Sequence, residues 1–162
     1  MTKSLIIYYS WSEAVNTKHI AEIIRQQTEA DVFRVKTVKP YPDTYAACVA
    51  KAGMDILSST LPELQKLPES LNDYDRIFLG TPIWWGNMSQ PIKSLVKQVN
   101  FSGKKLLPFC THGGGGKGKY FAKLLENCKG ATIGEGIAFL KNGGPEAEQQ
   151  IKAWLEKNKN ML

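Results

Sequence analysis

The chain has 162 residues, 43% hydrophobic and 22% charged, a balance that predicts one soluble globular domain over residues 1–162 with a core of its own. No uncharged apolar run approaches the roughly 18 residues of a bilayer span, and Leu5–Tyr9 is too short for a secretory signal. The three widely spaced cysteines, Cys48, Cys110 and Cys128, form neither a disulfide framework nor a metal pattern, so the expectation is a cytoplasmic protein with no membrane or metal partner.

The net charge of +6 is uneven: residues 1–90 carry 9 Lys/Arg against 10 Asp/Glu, and residues 91–162 carry 12 against 5. A basic half attracts nucleic acid, acidic proteins or anionic ligands. The lysines are scattered rather than packed in a run, and Lys152, Lys157 and Lys159 fit a solvated helix face. Nucleic acid is therefore not the expected partner.

Strand-like and helix-like segments alternate from end to end. Leu5-Ile6-Ile7-Tyr8-Tyr9 is a continuous apolar run that suits a strand buried on both faces. Asn16, placed to cap a helix, precedes Ile20, Ile23, Ile24 and Gln27 at helical spacing. Val32–Lys36 alternates with period two, as nearer a sheet edge. After the turn Lys39–Asp43, Tyr45–Leu57 carries Val49, Ala52 and Ile56 as a further helix, weakened by Gly53. Residues 58–74 are polar and proline-bearing and predict a loop. Arg76–Gly80 is the third strand, and Ile92, Leu95, Val96 and Val99 set the next helix. Lys105–Cys110 is the fourth strand, although Pro108 lacks a ladder donor. Phe121, Leu124, Leu125 and Cys128 mark another helix, Ile133–Phe139 the fifth strand, and Gly144-Pro145 opens a last helix with Ala147, Ile151, Trp154 and Leu155 on one side. Such repeated βαβ units give an α/β fold with a parallel sheet and helices on both faces. Ligands in such sheets lie beyond the carboxyl ends of the strands, which directs attention to the loops after strands one, three and four.

The first loop, Ser10-Trp11-Ser12-Glu13-Ala14-Val15-Asn16-Thr17, runs from a buried strand into a helix. Free N–H groups and hydroxyls there suit an anion; plain capping by Asn16 is the alternative. The second contains Pro82-Ile83-Trp84-Trp85-Gly86. Neighbouring side chains of an extended segment point opposite ways, so at most one indole faces the interior. The other offers a flat surface for an aromatic ligand, unless it only packs at the surface. The third, Thr111-His112-Gly113-Gly114-Gly115-Gly116-Lys117-Gly118-Lys119, allows close backbone approach to a ligand. It lacks the hydroxyl after lysine that a nucleoside triphosphatase loop carries.

With Gly80-Thr81-Pro82-Ile83-Trp84-Trp85-Gly86 ending the third strand, the whole chain resembles the flavodoxin family, in particular its short members with a Gly-x-Pro-Ile-Trp-Trp-Gly loop. The resemblance implies a three-layer fold with a five-stranded parallel sheet in the order 2-1-3-4-5, and noncovalently bound flavin mononucleotide (FMN). It puts the phosphate on Ser10, Trp11, Ser12, Asn16 and Thr17. The isoalloxazine would lie against Pro82, Ile83, Trp84, Trp85 and Gly86, with Thr111, His112, Gly113 and Gly114 closing the other edge. One departure is plain: Glu13-Ala14-Val15 stands where the family usually has a single glycine. A carboxylate ~6 Å from a phosphate charge costs ~3 kcal/mol at an effective dielectric of ~20, less if it rotates outward.

In such a protein the flavin carries the redox step, so no side chain is assigned as catalytic. His112 serves either as a titrating group or as a hydrogen-bonding brace, and Cys110 reads as a buried, inert thiol. Carriers in the resembled family are typically acidic, whereas this chain is basic, with Lys117 and Lys119 beside the glycine loop. Positive charge there favours the anionic reduced flavin and two-electron chemistry. The expectation is an oxidoreductase passing electrons from a reduced nicotinamide to a small acceptor such as a quinone. The alternatives are an electron carrier docking a redox partner protein, and a flavin-free module built on the altered first loop.

Overall fold

The computed structural model describes residues 3–11 and 16–162. The continuous apolar run forms β1 (Ser4–Tyr8), buried along its whole length. It is flanked by β2 (Asp31–Arg34) on one side and β3 (Arg76–Trp84) on the other, both parallel to it. Next to β3 comes β5 (Lys105–His112), also parallel, and beyond it lie two short pieces, β6 (Thr132–Ile133) and β7 (Ile137–Leu140). A two-residue strand, β4 (Asn87–Met88), folds back antiparallel on the end of β3. The central order is therefore the expected 2-1-3-4-5, with the fifth position divided in two and a hairpin added, seven strands in all among the described residues.

Pro108 accounts for the division. Leu107 and Pro108 are the two residues of β5 that pair with neither β6, which takes Lys105 and Leu106, nor β7, which takes Phe109 to His112. A proline has no N–H for a ladder bond, and the outer strand leaves the sheet beside it through Gly134-Glu135-Gly136. On its other side β5 stays in register with β3, where Gly80 faces Phe109. A Cβ at Gly80 would lie 2.1 Å from the Phe109 ring, so the glycine makes room for that ring.

Among the described residues five α-helices cover the sheet: α1 (Asn16–Thr28), α2 (Tyr45–Leu57), α3 (Gln90–Gln98), α4 (Tyr120–Asn127) and α5 (Ala147–Lys157). Alternation along the strands sends side chains to two separate cores. Ile6, Tyr8, Phe78 and Phe109 meet Ile20 and Ile24 of α1 and Ile151 and Trp154 of α5. Leu5, Ile7, Leu79 and Cys110 meet Ala52, Ile92, Leu95 and Leu124 from the other three helices. Trp154 lies on the core side of α5 as its spacing predicts, and its Nε1 donates to the Glu135 carbonyl at 2.6 Å. Residues 58–74 hold no helix; Leu64 bridges Thr37 in a single antiparallel pair. No described helix is long and apolar enough to cross a membrane.

Candidate functional site

The loops after β1, β3 and β5 meet at the carboxyl end of the sheet around a cleft of about 470 Å³. Its walls are largely apolar. Of the residues expected there, Trp11, Asn16, Pro82, Ile83, Trp84, Trp85, Thr111, His112 and Gly113 line it. Ser10, Thr17, Gly86 and Gly114 do not line it. Ser12 and Glu13 lie outside the described residues, as does the loop extension Ala14-Val15.

Beneath the first loop, Ser10 and Thr17 are buried and engaged with neighbouring chain. The Ser10 hydroxyl accepts the Lys18 N–H at 3.3 Å, and the hydroxyls of Thr17 and Thr111 bond to each other at 2.8 Å. Thr17 thus ties the start of α1 to the end of β5, and Asn16, first residue of α1, is left facing the cleft. The N-terminal end of a helix carries unpaired N–H groups and partial positive charge, so this end of the cleft suits an anion. Trp11 is anchored by its Nε1, which donates to the Pro42 carbonyl at 3.0 Å.

The indole pair sits on the β3–β4 hairpin. Trp84 and Asn87 pair across it, leaving Trp85 and Gly86 as a two-residue turn with φ +52° and +73°. Positive φ at both centres is the requirement of the type I′ hairpin turn. The two indoles divide between strand end and turn. Trp84 turns inward, edge-on to Tyr9 (5.6 Å between centroids) and to Tyr41 (4.8 Å). Trp85 stays 64% exposed and leans on α2, its Nε1 donating to the Val49 carbonyl at 3.0 Å.

The glycine loop is folded onto protein as well as onto the cleft. His112 Nδ1 accepts the N–H groups of Gly114 (3.1 Å) and Gly116 (3.2 Å), so the imidazole braces the loop. Lys119 N–H donates to the Gly86 carbonyl at 2.7 Å. A Cβ on Gly118, which has φ +54°, would fall 2.0 Å from that same oxygen. Gly118 is therefore a glycine where the loop presses on the hairpin turn. Cys110 is fully buried and burial pushes its thiol up to about 12, in keeping with an inert group.

Two parts of the site escaped the sequence reading. One is the wall from α2, where Tyr45, Cys48, Val49 and Ala52 line the cleft; their helical spacing was visible, but not which element α2 would face. The other is Lys141, directly after β7, whose N–H donates to the His112 carbonyl at 2.7 Å and which lines the cleft. Its position at the carboxyl end of a strand was the available signal. Lys117, by contrast, places its Nζ 5.3 Å above the Phe121 ring and does not line the cleft.

The family model for flavodoxin matches residues 3–158. The chain belongs to the flavodoxin family. Among solved structures, a flavoprotein from Lactobacillus acidophilus NCFM in complex with FMN is 27% identical over 95% of this chain and 99% of that one, with a TM-score of 0.72. A candidate flavoprotein from Bacteroides eggerthii DSM 20697 superposes with a TM-score of 0.81 at 23% identity, covering 96% of this chain and 97% of the other. Flavodoxin 1 from Bacillus cereus gives 0.59 at 18% identity, with 99% of each chain covered. The last two establish likeness of fold. In this flavodoxin-family chain, the cleft stands where the parallel-sheet rule puts a ligand.

Proposed function

We propose that the cleft binds FMN noncovalently and that the protein is an oxidoreductase, drawing electrons from a reduced nicotinamide and passing them to a small acceptor such as a quinone. The observation that carries this reading is the pairing, within one cleft, of a slot walled by Trp11, Trp84 and Trp85 with the start of α1 at Asn16. A planar apolar head and an anionic tail are what such a donor set accepts. The L. acidophilus relative, similar in sequence and in structure, is a complex with FMN.

Bound there, FMN supplies the redox chemistry. The chain's own residues do the rest. Trp85 and the α2 wall shield one side of the slot from water. His112 keeps the glycine loop closed through Nδ1. Lys141 brings a positive charge to the lining, which favours electron-rich ligands and anionic donors.

Reconstitution with excess FMN tests the cofactor: the reading expects a yellow protein and quenched flavin fluorescence, and colourless protein with unquenched flavin sinks it. NADH or NADPH oxidation by the loaded protein, with and without a benzoquinone, then tests the activity.

A second reading, an electron carrier between proteins, requires an acidic partner here, the reverse of the family's acidic carriers. Residues 77–134 hold eight lysines and a single acidic residue, Glu126. Of these, Lys93 on α3 has its ammonium pKa pulled down by partial burial and by Lys123 and Lys97 beside it. A basic face next to the hairpin suits an acidic redox partner. Stepwise reduction separates the two readings: electrons taken up singly, in two well-separated steps, favour the carrier, and uptake in pairs favours the oxidoreductase.

A further inference from the structure

Gly53 occupies the middle of α2, a position where alanine would favour the helix. Its neighbour explains the choice. A Cβ built on Gly53 would stand 3.0 Å from Trp85 Cζ2, 3.2 Å from Cε2 and 3.3 Å from Nε1. These approaches are tighter than side chains normally tolerate, and all three atoms belong to one edge of a single rigid ring. The same Nε1 donates to the Val49 carbonyl at 3.0 Å. In an α-helix that carbonyl faces the N–H four residues on, which here is Gly53's own. The indole therefore crosses α2 over the spot that a side chain at position 53 would fill.

Trp85 is also held in a conformation that bulky residues avoid, with φ +52°. It stays 64% exposed, so burial in a core does not account for it. Strain of this kind persists where surrounding contacts over-determine it; here the Trp84–Asn87 hairpin pairing imposes the turn, and the Val49 carbonyl and the bare backbone of Gly53 hold the ring. Trp85, Val49 and Ala52 line the cleft, whereas Gly53 does not.

We infer that Gly53 is a positioning residue: its missing side chain lets the Trp85 indole lock onto α2, and the locked ring fixes the width of the cleft that takes the planar ligand. This rests on the FMN reading above for the identity of the ligand, while the lock itself belongs to the protein alone.

The test has two arms. In flavin-free protein labelled with nitrogen-15, the Trp85 indole N–H resonance, assigned through Trp85→Leu, reports the bond to Val49. In Gly53→Ala it is expected to move toward the position of a free indole and to exchange faster with water. In the second arm FMN affinity is titrated in four proteins. Gly53→Ala is expected to weaken binding at least tenfold when Trp85 is present, and less than twofold in a Trp85→Leu background. A merely structural role for Gly53 predicts equal losses in both backgrounds, and that outcome overturns the inference. So does an indole resonance that Gly53→Ala leaves in place. Wild-type protein that fails to bind FMN defeats the cofactor reading and the cleft-width half of the inference with it, but the resonance still decides whether the lock exists.

Discussion

Tyr41 meets Trp84 edge-on, with ring centroids 4.8 Å apart and planes at 68°, while its hydroxyl donates to Asp55 Oδ2 at 3.1 Å. The other carboxylate oxygen of Asp55 accepts from Lys51 Nζ at 2.6 Å. A buried carboxylate on α2 thus tethers the segment that backs the inner indole. The support for the cleft wall is as specific as the wall itself.

Asp55→Ala leaves a buried phenol without its acceptor and Lys51 without its partner. The expected cost is about 2–3 kcal/mol, or about 5–10 °C in thermal midpoint for a chain of this size. Tyr41→Phe keeps the Asp55–Lys51 pair and the ring contact, so about 1 kcal/mol is expected. Thermal unfolding of both variants checks the order; a larger loss for Tyr41→Phe would refute the tether.

Gly118→Ala drives a Cβ against the Gly86 carbonyl at a positive φ. It should lower stability by about 1–3 kcal/mol and weaken FMN binding, because the hairpin turn has to move. Gly115→Ala is the control: its Cβ meets nothing within 4 Å, so a change within about 0.5 kcal/mol is expected. Comparable effects at the two positions would show that the loop does not press on the hairpin.

The Thr17–Thr111 bond predicts non-additivity. Thr17→Val alone strands a buried hydroxyl on Thr111, at a cost of about 1–3 kcal/mol. Adding Thr111→Val removes the stranded group, and the double variant should be no less stable than the single one. Denaturant midpoints of the three variants measure this; simple addition of the two losses would exclude the paired hydroxyls.

Alkaline pH should destabilise the fold. Burial raises the Cys48 and Cys128 thiols to about 11 and Cys110 to about 12, from an ordinary 9.0. The folded state therefore holds these protons more tightly than the unfolded one. The stability linked to them is complete below about pH 9 and is lost as pH rises through about 11. Thermal midpoints should be flat from about pH 7 to 9 and fall above that. A thiol reagent at about pH 8 should label native protein far more slowly than denatured protein; rapid labelling would contradict the burial.

Much of this was legible along the chain. Leu5–Tyr9, the helical spacing of Ile20, Ile23 and Ile24, and the period of Ile92, Leu95 and Val96 each report a local face, and local faces follow from side-chain alternation. The Trp84-Trp85 dipeptide showed that at most one indole would face the interior, but not that Trp85 would sit in a hairpin turn. Pro108 signalled trouble in its strand, but not that the trouble would fall on the neighbour, splitting it into β6 and β7.

Residue types and their spacing along the chain determined the order of strands and helices, the buried faces and the three loops that converge. Long-range approach decided the rest: that α2 supplies a wall, that Lys141 reaches the cleft, that Gly118 yields to Gly86 and Gly53 to Trp85. Those contacts join residues tens of positions apart, and no local pattern encodes how closely two distant backbones come together.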